Sequence, residues 1–446
     1  MFRTVAACVV VMMMGAGVIQ AQDEPQAMPA KLALTIPEAI DLAWKNNIAS
    51  IRQQSALETS EAVKVGTRST WMPSLSFDAS WERSQPAQVE QFLLSDSTLQ
   101  TLVLSDSYRF GFSLRQPIFN SAGGSYLHVP RAAGAQVSAE EELLRSTRQL
   151  VALETKRLCY DLLKAQKLFE VQGNAVKRSI EQLETSKARY ELGSASMSDF
   201  LKSKVQLGSD SLTLITRAND ADIARSELNK YLAFDVARPT EVDVQLDFEP
   251  YPLPSDTAVA EAVEMHPTVQ AEHHKLDRAE AELGGDRFQR LPSVDAFLNY
   301  GWFGSEFPGG TDEIWRTDAH SVGIQLSWNL FTGFSTSSRI RQSKVARHQA
   351  EQELAEARRT VELDITKASL NLNAARKRLQ VADDQVESAQ EDLKIAQEKY
   401  NLGAATILDI LTAQVGLSEA ETERIQAGYD YFLSIADLER SMGGGD

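Results

Sequence analysis

Residues 361–403 read VELDITKASLNLNAARKRLQVADDQVESAQEDLKIAQEKYNLG. Within them Val361, Ile365, Ala368, Leu372, Ala375, Leu379, Ala382, Val386, Ala389, Leu393, Ala396 and Tyr400 follow one another at alternating spacings of four and three. This is the 3.5-residue period of a coiled-coil seam, kept over about forty residues without a proline. Large and small side chains alternate along it, so bulky residues can lie against alanines of a neighbouring helix. Extended over residues 335–402, the helix would span about 100 Å at ~1.5 Å per residue, far longer than a globular core needs. Leu402-Gly403 ends it, because glycine accepts the left-handed conformation that turns the chain. A second helix over residues 409–442 returns, with Leu411, Val415, Ile425, Tyr429 and Phe432 inward.

The same arrangement occurs earlier in the chain. Ala188-Arg-Tyr-Glu-Leu-Gly193 returns as Glu398-Lys-Tyr-Asn-Leu-Gly403, and an aspartate follows each glycine six positions on, Asp199 and Asp409. Gln116-Pro-Ile-Phe-Asn120 pairs with Trp328-Asn-Leu-Phe-Thr332, Met72-Pro-Ser-Leu75 with Leu291-Pro-Ser-Val294, and residues 36–47 with 256–266. Four matches in one order make the chain two copies of one unit, with a period of roughly 210 to 220 residues. The first copy keeps its seam less strictly, through Val151, Thr155, Leu158, Leu162, Ala165, Phe169, Gln172, Val176, Ser179, Leu183, Ser186 and Tyr190.

Ahead of each long helix the hydrophobic period falls to two. Leu75, Phe77, Ala79 and Trp81 alternate with polar residues, as do Tyr108, Phe110, Phe112 and Leu114. In the second copy Val294, Ala296, Leu298, Tyr300 and Trp302 do the same, followed by Val322, Ile324, Leu326 and Trp328. These are four strands in two hairpins, each with a long connection, about 84–106 and 303–318. Their length, alternation and terminal aromatics suit strands that cross a membrane. A two-sheet sandwich with one wet face is the plainer alternative.

The expected organisation is a signal peptide over 1–21, repeat 1 over 22–235 and repeat 2 over 236–446. Repeat 1 would hold strands near 73–84 and 107–119, a long helix near 124–192 and a return helix over 199–234. Repeat 2 would hold a linker over 236–255, strands near 292–303 and 319–331, a long helix near 335–402 and the return helix over 409–442. The linker, with four prolines and a short strand-like stretch at 242–246, reads with the shorter helices as a side layer around the middle of the long ones. The leader carries Arg3, an apolar run over 5–19 and a small residue, Ala21, before Asp23-Glu24, the pattern of a cleaved secretory signal. Its Cys8 precedes most of the apolar run, against a lipid anchor. Cleavage would leave Cys159 as the sole cysteine, with no internal disulfide.

The 446 residues carry a formal charge of −17, or −18 without Arg3. A pI near 5.0 argues against nucleic acid as a partner. The mean hydropathy of −0.27 excludes a bundle of membrane helices and leaves a β-barrel open. The histidines show no ligand spacing: His273 and His274 are adjacent and are expected on different helix faces, so no metal, cofactor or catalytic site is expected. Four strands cannot close a barrel, and an open edge cannot sit in lipid. The chain must therefore oligomerise through its strands, as a trimer with twelve strands or a dimer with eight. The face opposite the aromatics, with Asp78, Glu82, Arg109, Arg115, Asn299 and Gln325, suits a water-filled lumen.

The duplicated unit, the hairpin followed by a heptad helix, and the twice-occurring Tyr-x-Leu-Gly with its later aspartate resemble the outer-membrane efflux protein (TolC) family over residues 33–438. The resemblance implies a mainly α fold with a membrane β-barrel, built from two tandem repeats. It implies a homotrimer with a 12-strand barrel in the outer-membrane lipid of a Gram-negative bacterium, continued by a 12-helix periplasmic tunnel. Such proteins perform no chemistry. They are the exit duct of a tripartite efflux or type I secretion system, joined through a periplasmic adaptor (membrane fusion) protein to an inner-membrane pump of RND or ABC type. By the same resemblance Gly193, Ser194, Ala195 and Gly403, Ala404, Ala405 are the tips that meet the adaptor. Asp199, Tyr400 and Asp409 match positions that close the periplasmic entrance. For both aspartates, capping the returning helix is an equal alternative. Ala405 stands where that pattern has a gate arginine, and Thr412 where it has a second acidic ring. Closure is therefore expected from a Tyr400–Asp199 bond and one ring of Asp409 carboxylates. A periplasmic coiled-coil scaffold would leave the amphipathic strands unexplained, and a trimeric adhesin would carry its strands at the C-terminus.

Overall fold

The computed structural model describes residues 32–84, 105–120, 125–243, 250–305 and 318–444. The expected leader, most of both hairpin connections and the middle of the linker lie outside these residues. The described chain contains β1 (Leu32–Leu34), α1 (Ile36–Asn46), α2 (Ile48–Gly66), β2 (Ser74–Ser84), β3 (Ser105–Phe119), α3 (Ser125–Glu191) and α4 (Met197–Tyr231). It continues with β4 (Thr240–Val242), α5 (Asp256–Met265), α6 (Pro267–Phe288), β5 (Ser293–Gly304), β6 (Asp318–Ser327), α7 (Ser335–Asn401) and α8 (Ile407–Ser441).

β2, β3, β5 and β6 form one antiparallel sheet in that order. The register sets Leu75 opposite Leu114, Phe77 opposite Phe112 and Trp81 opposite Tyr108. Phe110 meets Trp302, and Leu298 meets Val322. These apolar positions therefore share one face, and most stay exposed, Val322 at 79%; Phe297 and Phe303 fall on the other face, opposite Arg115 and Arg109. The two hairpins join through β3 and β5, where Gly111 pairs with Gly301. A Cβ on Gly111 would lie 2.8 Å from the Tyr300 carbonyl oxygen, so the strands approach closely only without one. On the opposite face Arg115 Nη2 donates to Asp295 Oδ2 at 2.9 Å. β6 ends at Ser327, short of the expected 331: the Trp328 indole donates to the Arg290 carbonyl (3.0 Å), and left-handed Gly333 and Phe334 turn the chain into α7.

α3 and α7 each have 67 residues, about 100 Å at ~1.5 Å per residue. The return helices α4 and α8 have 35 each, so they line only the half away from the sheet. Along the other half, α2 packs on α3, and α6 on both α3 and α7. Gln53 donates to Glu140 and Arg278 to Gln136, while Arg347 pairs with Glu280. This corrects the sequence reading: β1, β4, α1 and α5 form the side layer, whereas α2 and α6 continue the tube toward the strands. The break between short and tube helix is capped alike in both copies. Asn47 Oδ1 accepts from the Ala49 amide (2.9 Å), and His266 Nδ1 accepts from Thr268 (3.2 Å). No helix among the described residues is long and apolar enough to cross a membrane.

The α7 seam is buried from Val361 to Ala382 and again from Leu393 to Tyr400. In α3 the expected seam holds to Leu162 and then drifts. Leu168 and Ala175 are buried in place of Phe169 and Val176, and Tyr190 is exposed. Polar bonds replace the missing leucines: Ser179 bonds Asp210, Gln172 donates to the Asp210 carbonyl, and buried Ser186 and Ser203 share a 2.9 Å bond. Around the side layer, buried Asn229 donates to the Val236 and Arg238 carbonyls and accepts from Thr240, setting the turn into β4. Cys159 is fully buried beside it, and burial pushes its thiol up to about 12.

The two return helices end alike but with different residues. Gly443 takes φ +78° at the end of α8, whereas Ala233 takes φ +58° at the end of α4. A left-handed alanine is strained where glycine is not. Ala233→Gly should therefore raise stability by about 0.5–1 kcal/mol, and Gly443→Ala should lower it similarly, read as the thermal midpoint of the detergent-extracted protein.

Candidate functional site at the helical tips

Each hairpin turns through the same six-residue geometry. Gly193 (φ +75°) donates to the Tyr190 carbonyl at 2.9 Å and Ser194 to that of Arg189 at 2.9 Å. Gly403 (φ +72°) donates to Tyr400 at 3.1 Å and Ala404 to Lys399 at 2.8 Å. These bonds satisfy the last helix carbonyls and fix where the returning helix starts. Leu192 and Leu402, just before the glycines, stand 83% and 85% exposed. They and the small residues Ser194, Ala195, Ala404 and Ala405 make each tip a knob with almost no charge.

The returning helices begin two residues earlier than expected, at Met197 and Ile407, because Ser196 and Thr406 are the capping residues. Asp199 and Asp409 occupy the third helical position. Asp199 Oδ2 accepts from the Ser196 amide (3.2 Å), whose Oγ accepts from the Asp199 amide in turn. Asp409 Oδ2 accepts from the Thr406 amide (2.6 Å) and hydroxyl (2.8 Å). The Thr406 amide, with its hydroxyl second, holds the exposed Asp409 carboxyl below its ordinary value. Capping thus occupies one oxygen of each aspartate, and nothing in it prevents the exposed Asp409 from facing a passage.

Tyr400 lies elsewhere than expected within one chain. Its ring is nearly buried among Leu393, Ala396, Ile407 and Leu411. Its bonds within the chain run to Arg189, which lies 4.5 Å over the ring, rather than to Asp199. Arg189 also donates to Asn401 Oδ1 at 2.8 Å and to the Tyr400 carbonyl at 3.5 Å. Arg189 was not distinguished in the sequence: its partners lie in the other repeat, and no spacing along α3 announces them. Ala405 packs against the apolar tip cluster, and Thr412 is exposed.

Around the protomer the long helices follow the order α7, α8, α3, α4. The outer two carry apolar stripes that the protomer does not cover. On α4 these are Leu201, Val205, Leu212 (69% exposed), Ile215 and Ile223, and on α7 Leu363, Leu370 (65%) and Val381. From Leu201 to Ile215 the α4 residues keep coiled-coil spacing, as do the three on α7. They lie on the same two flanks as the unpaired edges of β2 and β6.

Away from the tips, His273 and His274 do not diverge as expected. Both Nδ1 atoms approach Asp277 Oδ2, at 3.4 and 3.6 Å, because Asp277 sits one turn on from the pair. These three residues are exposed or half-exposed on α6.

The Outer membrane efflux protein family model matches this chain over residues 44–233 and 258–444, one stretch in each copy. The outer membrane protein TolC of Vibrio cholerae is 24% identical, over 93% of this chain and 95% of that one. The alkaline protease secretion protein AprF of Pseudomonas aeruginosa is 26% identical, over 75% of this chain and 69% of its own. Among solved structures, the CmeC outer membrane channel of Campylobacter jejuni superimposes with a TM-score of 0.80 at 18% identity, covering 92% of this chain and 86% of that one.

The capping geometry makes a pH prediction. Since the Asp409 carboxyl titrates below its unfolded value, its contribution is full above that value, about 3.9, and is lost as pH falls through the folded one. Hydrogen-exchange protection of amides 404–411, corrected for intrinsic rate, should hold at neutral pH and decline in that acid window. Asp409→Asn should flatten the decline.

Proposed function

As the chain belongs to the Outer membrane efflux protein family, we propose that three copies join edge to edge into an export duct. It is an outer-membrane channel with a large helical periplasmic part, and not an enzyme. The observation that carries the trimer is the four-stranded sheet with one apolar face and two open edges. Hydrocarbon forbids unpaired backbone groups, so β2 of one protomer must meet β6 of the next. Three sheets give twelve strands, enough to enclose water, and the same operation sets the α4 stripe against the α7 stripe of the neighbour.

The duct then takes cargo from an inner-membrane pump of RND or ABC type through a periplasmic adaptor. Leu192-Gly193-Ser194-Ala195 and Leu402-Gly403-Ala404-Ala405 are the knobs the adaptor meets, since they expose leucine and backbone where charge is least. Three Asp409 carboxylates around the axis form a ring that favours cations at the entrance. Asp199 and Tyr400 set the tips on which that ring depends. AprF is named for secretion of a protease; a duct of this kind serves that cargo or a small molecule alike.

The detergent-extracted protein should come from the outer-membrane fraction as a heat-modifiable trimer, and a soluble periplasmic monomer would overturn the duct. Leu370→Glu should abolish the trimer, because Leu370 lies on the uncovered stripe. Leu372→Ala, two residues on in the buried seam, should instead destabilise the fold by about 2–5 kcal/mol. In planar bilayers Asp409→Asn should lower the preference for cations, and identical selectivity in both proteins would remove the ring.

A further inference from the structure

We propose that His273, His274 and Asp277 on α6 form a binding site for a divalent transition-metal ion of borderline softness, Zn²⁺ or Co²⁺ in kind, one in each protomer. Neighbouring residues leave an α-helix about 100° apart, and a residue three or four positions on stands at the angle between them. Asp277 is that residue for the two histidines. Both Nδ1 atoms therefore aim at one oxygen, Asp277 Oδ2, at 3.4 Å from His273 and 3.6 Å from His274. These separations exceed the range of most N–H···O bonds, about 2.7–3.2 Å. They suit a tetrahedral ion, which at ~2.0–2.1 Å from each ligand sets its ligands about 3.3 Å apart. All three ligand atoms lie within 4.8 Å of one another. The two rings stand at 85°, so each can point its nitrogen inward without blocking the other.

The surroundings leave the trio to itself. Lys275 is held by Glu272 at 2.7 Å, and Arg278 donates to Gln136 at 2.6 Å and lies 3.4 Å from Glu282. Among the described residues no lysine or arginine pairs with Asp277, and no other three His, Cys, Asp or Glu side chains converge in this way. The side chains are half-exposed, so an ion can enter and keep water at its open position. Two imidazoles and one carboxylate select the class of ion: Cu⁺ prefers sulfur, while Mg²⁺ and Ca²⁺ prefer oxygen alone. The first copy shows that the fold does not need the trio. Asn47 and His266 cap α2 and α6 alike, which sets His273, His274 and Asp277 level with Gln54, Ser55 and Glu58. There Gln54 Nε2 simply donates to Glu58 Oε1. In the second copy a bound ion takes the place of that bond and fastens successive turns of α6 just beyond its break from α5. The site lies within one protomer and is independent of how copies join.

Titration of the detergent-extracted protein with Co²⁺, after purification without a histidine tag, tests the site. The wild type should take up one Co²⁺ per protomer with visible d–d absorption, and Zn²⁺ should displace it where an excess of Mg²⁺ does not. His273→Gln, His274→Gln and Asp277→Asn should each weaken binding about tenfold or more, at least the loss seen on removing an outer-sphere partner. His348→Gln, which takes away the histidine beside Glu351, should bind as the wild type does. Far-UV circular dichroism separates a lost site from a lost fold. Should a variant fail to fold, pulsed EPR of Cu²⁺ on the wild type decides, since two imidazole nitrogens should couple to the ion. Wild-type affinity in a folded His273→Gln/His274→Gln protein would overturn the site. So would displacement of Co²⁺ by Mg²⁺ as readily as by Zn²⁺, or a Cu²⁺ spectrum without two imidazoles.

Discussion

In hydrocarbon every backbone N–H and C=O must find a partner inside the protein, and β2 and β6 each present one unpaired row. Water would satisfy those rows at little cost; lipid cannot. From this one requirement follow the need for more than one copy, the flanks on which copies meet, and a use for the leucine and isoleucine that α4 and α7 leave bare in their own protomer. The helical tube is thus a consequence of the sheet. In the proposed trimer, closing three sheets would bring the long helices that leave them side by side, and the uncovered stripes would become interior.

Much of this is legible in the residues. The α7 seam is unbroken because its packing is decided locally, by leucines and alanines at heptad spacing, and Val361, Ile365, Ala368 and Leu372 are all buried. The strands are legible for the same reason, since a period of two with one wet face leaves little choice of register. The first copy is harder. Phe169 and Tyr190 continue the heptad but face outward, since the α3–α4 contact is carried by Ser179, Asp210, Ser186 and Ser203, which no hydrophobic period can reveal. The part played by α2 and α6 was equally hidden, because their partners on α3 and α7 are distant in sequence. At the candidate site, the glycine turns and aspartates are written plainly, whereas the capping role of Ser196 and Thr406 is offset by two residues from them. Arg189 is invisible until the two copies are placed in contact.

The duplication has not kept its halves equivalent. The second hairpin is zipped by apolar residues to its tip, with Ile407 and Ile410 almost fully buried. The first is apolar at its base, around Leu162, Leu228 and Leu232, and relies on hydroxyls, amides and carboxylates toward its tip. Two hairpins of one length, turned by one backbone geometry, therefore differ in how tightly each is held, and their common seam mixes the ion pairs Lys156–Glu439 and Arg178–Glu421 with the contact of Tyr160 on Tyr429 and Phe432.

The side layer carries a further consequence, for the order in which the molecule can form. β1 pairs in parallel with β4, Leu32 against Thr240, so the first described residues are completed only by those that open the second copy. The β3–β5 ladder likewise waits for Gly304 to reach Tyr108. Contacts so remote along the chain form slowly. During synthesis and export the first copy must therefore persist with β1 and the outer edge of β3 unpaired and its belt half built. Exposed edges of that kind are what chaperones shield in large chains, and the two copies cannot complete their folding independently of one another.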